Sequence, residues 1–430
     1  LGKLFYHLFI YSYAVGARLI SFWNPKATQW LSGRKVFPSI KNNQQKTIWM
    51  HCASLGEFEQ GRPLLEKIRE QYPLQIIVLT FFSPSGYETM KQYNGADYIF
   101  YLPMDSKTNA SKFIKAINPG IVLWVKYEYW YYYLTTLKAC NIPILMVSGL
   151  FREGQPFFKW YGALWRKMLA SFTHFFLQND ESIALLQTIG ISTNVSIAGD
   201  TRFDRVIAIA TQFEPIPLIA AFCGNHKVLV AGSTWQEDEE ELVHFVKNNP
   251  TVKFIIAPHE IDADNLKSVK KEFPQSILFS EWKAIQELTI NTEQQVTAPE
   301  KATTKDWGNV LIIDNIGMLS KLYYYAGITY VGGGFDAGGI HNILEPAVFG
   351  KPVIFGPVYQ KFSEAVDMVA GGAGISIASA LELEDVLNNL WSNDTLLKQK
   401  SEAAKKYVYS KVGATARVMA YIQANRLLTN

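Results

Sequence analysis

The sequence predicts an α/β protein of two Rossmann-like domains, each a parallel sheet with helices on both faces. Two observations predict it. Short, continuous apolar runs rich in β-branched and aromatic residues alternate with helical patterns, as expected for strands buried on both faces. These runs fall into two sets, separated by a stretch at 207–226 that carries Pro215, Pro217 and Gly224. A chain of 430 residues has room for two domains.

The first set contains 47–54, 75–82, 97–103, 121–125, 142–149 and 174–178, with helical patterns at 58–71, 108–117 and 159–170. The second contains 227–233, 252–258, 309–314, 328–333, 351–356 and 374–377. The expected order is an N-terminal helix (1–33), a first domain (34–206), a linker (207–226), a second domain (227–395) and a C-terminal helix (396–430) able to cross back to the first domain. Residues 284–306 are polar and rich in Thr, Glu and Gln, and read as a long surface loop. Ligands of open α/β sheets bind outside the carboxyl ends of the strands. Two such domains facing each other would form one cleft, so informative residues should follow strands.

Composition narrows the classes. Hydrophobic content of 48% and charged content of 18% indicate large cores. A net charge of +3, with no basic stripe interleaved with aromatics, argues against nucleic acid as a partner. Cys52, Cys140 and Cys223 are scattered and form neither a disulfide framework nor a zinc motif, which suits a reducing compartment. The segment Leu4 to Trp23 is apolar and aromatic, close to the roughly 20 residues that span a bilayer. Lys26, Arg34 and Lys35 follow it, so the positive-inside tendency puts the rest of the chain in the cytoplasm. The segment is expected to be a membrane anchor, spanning or interfacial; the alternative is a buried helix of the first domain.

The densest local signal is the run from Ile328 to Pro346, in which an apolar strand meets five glycines between Gly332 and Gly339. Glycines at a strand end allow close backbone approach, and a helix starting just beyond them would offer free N–H groups to a phosphate. Asn342 and Glu345 lie one helical turn apart, and a carboxylate there suits ribose hydroxyls. The alternative is a tight turn packed under a helix. Three further loops converge on the same edge: Gly232-Ser233-Thr234, Pro258-His259-Glu260 and Asp314 to Met318, which includes Ile316 and Gly317.

In the first domain, Glu57 follows the first strand in a Ser54-Leu-Gly-Glu57 loop. It suits a general base, or simply an acid in a first helical turn. Glu128 lies between Tyr127 and Tyr129-Trp130, an arrangement that suits a sugar or ordinary core packing. Arg202, in Gly199-Asp-Thr-Arg-Phe-Asp204, can neutralise a phosphate or carboxylate, or pair with Asp200 or Asp204. Asp262-Ala-Asp264 has the spacing of a metal-binding pair, but its position opening a helix is explained by N-capping. No metal and no cofactor are expected.

In order along the chain, these motifs resemble the Kdo (3-deoxy-D-manno-octulosonic acid) transferases of lipopolysaccharide synthesis. The resemblance takes in the apolar N-terminal segment, Ser54–Glu57, Thr80–Gly86, Pro103-Met-Asp105, Glu128–Trp130, Gln178-Asn179, Gly199–Asp204, Ala231–Thr234, Gly332–Pro346 and Gly356-Pro357 with Phe362. It implies a GT-B fold and inverting, metal-independent transfer of Kdo from CMP-Kdo to a lipid A precursor at the cytoplasmic face of the inner membrane. It places Glu57 on the proton acceptor, Arg202 on a transition-state cation and Glu128 in an acidic segment. Ser233, Pro258, His259, Ile316, Gly317, Met318, Asn342, Ile343, Leu344 and Glu345 fall on the CMP-sugar side. His259 stands where arginine is usual, Lys126 where a second glutamate is common, and Leu150 where an arginine is common. The alternatives are a GT-B enzyme using a UDP-sugar and a catalytically silent sugar-nucleotide-binding scaffold at the membrane.

Overall fold

The computed structural model describes residues 2–41, 44–293 and 308–428. The chain divides into two compact units, Leu1–Arg205 with Lys411–Asn430, and Val206–Ser410.

The first unit holds a seven-stranded parallel sheet made of β1 (Thr47–Cys52), β2 (Ile76–Phe81), β3 (Tyr98–Tyr101), β4 (Pro119–Val125), β5 (Ile144–Gly149), β6 (His174–Leu177) and β7 (Val195–Ile197). Its order is β3-β2-β1-β4-β5-β6-β7, so the direction of winding reverses between β1 and β4. Both faces are covered. Trp49, Trp124, Phe113 and Tyr133 pack on one side, and Met50, Cys52, Leu123 and Val125 on the other. The C-terminal residues Val418, Met419 and Ile422 complete the second face. Burial on both faces is why these strands read as unbroken apolar runs.

The second unit repeats the plan with β8 (Val228–Thr234), β9 (Lys253–Pro258), β10 (Ile277–Leu278), β11 (Val310–Ile312), β12 (Ile328–Val331), β13 (Val353–Phe355) and β14 (Gly374–Ser376). The order is β10-β11-β9-β8-β12-β13-β14, and here the reversal lies between β8 and β12. In open parallel sheets such reversals open a crevice for ligands.

Several segments differ from expectation. Residues 284–293 belong to the helix Phe279–Glu293, in which Phe279 and Trp282 are buried at helical spacing; the rest of the expected loop lies outside the described residues. Residues 207–226 carry the end of the helix Thr201–Thr211 and the helix Pro217–Cys223. The C-terminal segment forms two helices, Asp394–Ser410 and Ala414–Ala424. Gly413, at φ 106°, breaks the run, and the Asp204 carboxylate accepts the N–H groups of Gly413 and Thr415, both at 2.6 Å.

The expected N-terminal helix (1–33) is split as well. A helix spans Gly2–Ile20, and Asn24 caps a second one, Pro25–Ser32, by accepting the Ala27 N–H at 3.2 Å. Among the described residues no helix is long and apolar enough to cross a membrane. The first helix buries Tyr6 but leaves Leu4, Phe5, Leu8 and Phe9 exposed. Tyr6 donates to Asp105, and Asp105 accepts the N–H groups of Tyr132 and Tyr133 at 2.9 and 3.0 Å. The Tyr131 N–H in turn donates to the Tyr6 hydroxyl at 3.1 Å. Three orphan donors at the start of the helix Tyr131–Ala139 are thereby satisfied from elsewhere in the chain.

The glycine run serves packing. A Cβ at Gly332 would lie 2.4 Å from the Ser233 carbonyl, and one at Gly334 would lie 2.5 Å from the Gly356 backbone nitrogen. Backbone crosses backbone here, so the tight-turn alternative accounts for these glycines. Gly334→Ala should therefore destabilise the protein by about 1–3 kcal/mol in urea unfolding, the usual cost of overpacking. Gly16→Ala, with nothing within 4 Å of the new methyl, should cause no loss.

Candidate active site

In the first unit the candidate residues gather at the β1/β4 reversal. Glu57 is the third residue of the helix Leu55–Gln71, with Ser54 at the N-cap. The Ser54 side chain caps nothing. Glu57 reaches back past it to accept the Ala53 N–H, and also takes a backbone hydrogen bond from Tyr127. The Tyr127 amide is available because Lys126 adopts a left-handed conformation, φ 53°, directly after β4. Burial pushes the Glu57 carboxyl up to about 7, and repulsion from Glu128 adds to this. The two amides and the Lys126 ammonium act in the opposite direction. A group so placed accepts or releases a proton near neutrality.

Glu128 ends a chain of hydrogen bonds. Trp49 Nε1 donates to Thr80 Oγ1 at 2.8 Å, and Thr80 Oγ1 lies 2.9 Å from His51 Nδ1. His51 Nε2 lies 3.0 Å from Glu128 Oε2, which also accepts Trp130 Nε1 at 2.9 Å. Indole only donates and carboxylate only accepts, so the chain is satisfied with the Thr80 hydroxyl donating to Nδ1 and a proton on Nε2. The aromatics flanking Glu128, open to either reading, mostly pack in the core. Trp130 is buried, and Tyr129 packs edge-on against Phe157 and Phe172. Only Tyr127 of the three rings is appreciably exposed.

Arg202 is held by Asp200 through Nε at 2.9 Å and its terminal nitrogen at 2.8 Å. Asp200 also accepts from Gln60 Nε2 at 3.1 Å, one turn beyond Glu57 on the same helix. Burial alone would raise the Asp200 carboxyl, but Arg202, Lys126 and the hydrogen bonds outweigh it and hold it below its usual value. Burial raises the Tyr127 hydroxyl, against which Arg152 and Arg202 act. Glu57, Glu128 and Arg202 are therefore brought into one neighbourhood, joined by Lys126, Arg152 and Asp200. The His51–Thr80 support and the Gln60 link join residues far apart in sequence, and no local motif announces them.

In the second unit a cavity of about 420 Å³ opens at the ends of β8, β9 and β11. Ser233, Pro258, His259, Ile316 and Gly317 line it; Met318 and residues 342–345 are not among its lining. Ser233 has a left-handed backbone, φ 54°, at the end of β8 and does not open the following helix. Asp238, third in the helix Gln236–Asn248, accepts the N–H groups of Trp235 at 2.9 Å and Gly333 at 2.8 Å and the Tyr330 hydroxyl at 2.7 Å. It ties the loop after β8 to the glycine run after β12. Asn342 Nδ2 donates to Glu345 Oε1 at 3.1 Å, so these two do meet. The helix that starts between them, Leu344–Val348, is a single short turn, so the expected dipole contribution is small. Ile343 and Leu344 are fully buried. Asp262 caps its helix through the N–H groups of Asp264 and Asn265 at 3.2 and 3.1 Å.

A family described as 3-deoxy-D-manno-octulosonic-acid transferase (kdotransferase) matches residues 29–205. The 3-deoxy-D-manno-octulosonic acid transferase of Aquifex aeolicus is 26% identical over 384 residues, covering 86% of this chain and 94% of that protein. A bifunctional glycosyltransferase/methyltransferase of Fusobacterium nucleatum is 26% identical over 330 residues, covering 75% of this chain and 49% of that protein; the chain thus spans about half its length. In structure, the UDP-GlcNAc 2-epimerase of Neisseria meningitidis aligns with a TM-score of 0.61 at 16% identity, covering 89% of this chain and all (100%) of that one, a likeness of fold alone. The two sheets agree with a two-domain GT-B architecture, and the sequence comparisons point to the chemistry's class: residues 29–205 match the Kdo transferase family, and most of the chain is similar to Kdo transferases.

Proposed function

We propose that the protein transfers Kdo from CMP-Kdo to a lipid A precursor, with inversion at the anomeric carbon and Glu57 as the base. The observation that carries this reading is the state of Glu57, a buried carboxylate held by two amides and raised to about 7. The acceptor hydroxyl oxygen forms the new bond to the anomeric carbon as the bond from that carbon to the CMP phosphate breaks. The hydroxyl proton passes to Glu57, and the phosphate departs with the bonding electrons. The donor is already activated, so the reaction calls for no nucleophilic enzyme intermediate. Arg202 and Lys126 supply positive charge near the base, and Glu128, fixed by His51 and Trp130, is suited to orienting hydroxyls. In the second unit, the cavity beside Ser233 and His259 suits the nucleotide. The apolar face of the helix Gly2–Ile20, with Phe22, Trp23 and Trp160 exposed at 84%, 73% and 91%, suits attachment to the cytoplasmic face of the inner membrane.

Glu57→Gln should retain CMP affinity in calorimetry while transfer falls by roughly 10²–10⁴-fold, the usual worth of a general base. Near-normal turnover, read by mass spectrometry of a lipid acceptor, would sink the assignment. Titration with CMP, UMP and UDP separates this donor from a UDP-sugar, since only CMP should bind tightly.

Because Glu57 must be ionised to accept a proton, the rate should rise with pH through about 7 and be lost below it. Lys126 lowers this carboxyl, so Lys126→Met should move the acid limb to higher pH. A ¹³C-carboxyl NMR titration should show the same displacement without reference to activity.

A further inference from the structure

Three rings from three strand-end loops form a closed stack in the second unit. Trp235 follows β8, His259 follows β9 and His341 follows β12. The His259 ring lies 4.6 Å from Trp235 at 28° and 4.4 Å from His341 at 22°. Trp235 Nε1 donates to His341 Nε2 at 3.1 Å and closes the set. The backbone fixes each corner. The His259 N–H donates to the Thr234 carbonyl at 2.9 Å, and the His341 N–H donates to the Gly332 carbonyl at 3.1 Å. Asp238 binds the amides of Trp235 and Gly333.

On the reading of this cavity as the nucleotide half-site, we infer that His259 is its ionisable phosphate contact and that Trp235 and His341 are the residues that position it. Among the described residues the cavity lining contains no lysine or arginine, and His259 is the side chain there that can become positive. The indole N–H can only donate, so His341 must offer an unprotonated Nε2. Burial, and after it His259, lower His341 to about 4, which keeps it neutral. His259 is the most exposed of the three rings, and an indole face favours a cation lying over it. Acidic groups share its surroundings. Glu260 and Asp262 line the cavity from its own loop, and Asp238 and Glu239 stand on the helix Gln236–Asn248. Asp314, after β11, is engaged by the Ser280 N–H at 3.1 Å. Histidine ordinarily titrates between pH 5 and 8, so the charge offered to phosphate falls across that range.

The test is calorimetric CMP binding from pH 6 to 8 on the full chain. His259→Arg is the reference, because the ionisation of CMP itself cancels in the ratio. Wild-type affinity should fall relative to His259→Arg by about 3–10-fold over this range, as one proton of linkage allows. His259→Gln should bind weakly with no such relative change. Trp235→Phe keeps a ring but loses the bond to His341. It should weaken CMP binding several-fold in the wild type and not at all in the His259→Gln background, a dependence that general loosening of the fold would not produce. Equal pH dependence of wild type and His259→Arg overturns the inference and leaves the nucleotide reading intact. Absence of CMP binding by every variant at every pH overturns that reading and the inference with it.

Discussion

A buried carboxylate at the third position of a helix stitches together two loops at each reversal of winding. In the first unit Glu57 takes backbone N–H groups from the loops after β1 and β4. In the second Asp238 takes them from the loops after β8 and β12. Neighbouring parallel strands end side by side, and their loops have no ladder to hold them. An acid in the first helical turn, favoured there by the helix dipole, supplies the missing acceptor. Glu128 hangs from the loop after β4 and Asn342 from the loop after β12, while Arg202, His259 and Ile316 follow other strands of the same two sheets. The two acids differ in what they have left over. Asp238 is 1% exposed and has a third donor, the Tyr330 hydroxyl, so it is a finished joint. Glu57 is 9% exposed and faces the repulsion of Glu128 instead. The same device is structural in one unit and left chemically poised in the other.

Charge in the first unit is arranged to keep that poise usable. Left to burial and Glu128, the Glu57 carboxyl would hold its proton more firmly. Lys126 offsets this, and it does so twice, by its ammonium and by the left-handed turn that presents the Tyr127 amide. Lys126 therefore helps to set the protonation of Glu57. Arg202 is already engaged by Asp200, so its charge is delivered as part of a pair whose position Gln60 fixes on the helix of Glu57.

The strands and the loops that follow them were legible because burial on both faces leaves continuous apolar runs, and polar residues just beyond them stand out. The Asp262 cap was legible for the same local reason. The glycine run misled in part: its glycines answer to Ser233 and Gly356, and a clash between distant backbones leaves no mark near Gly332 or Gly334. The aromatics beside Glu128 could be read as a sugar platform or as core, and the packing of Tyr129 on Phe157 decides for core. The break at Gly413 depends on Asp204, which lies more than two hundred positions earlier. What sequence periodicity conveys is which face is apolar; which distant acid meets which amide is settled only when the sheets close.

The hydrogen bond from Tyr6 to Asp105 has a consequence for how the protein is handled. The helix Gly2–Ile20 exposes so much apolar surface that removing it is the obvious way to improve solubility. Its Tyr6 hydroxyl, however, accepts the Tyr131 amide and steadies the carboxylate that caps Tyr132 and Tyr133. That helix begins immediately after Glu128 and Trp130. A shortened protein would thus carry a frayed helix start, worth about 1 kcal/mol for a lost cap, next to the acid it is meant to report on. Kinetics measured on such a truncation would mix the loss of that apolar surface with the loosening of Glu128.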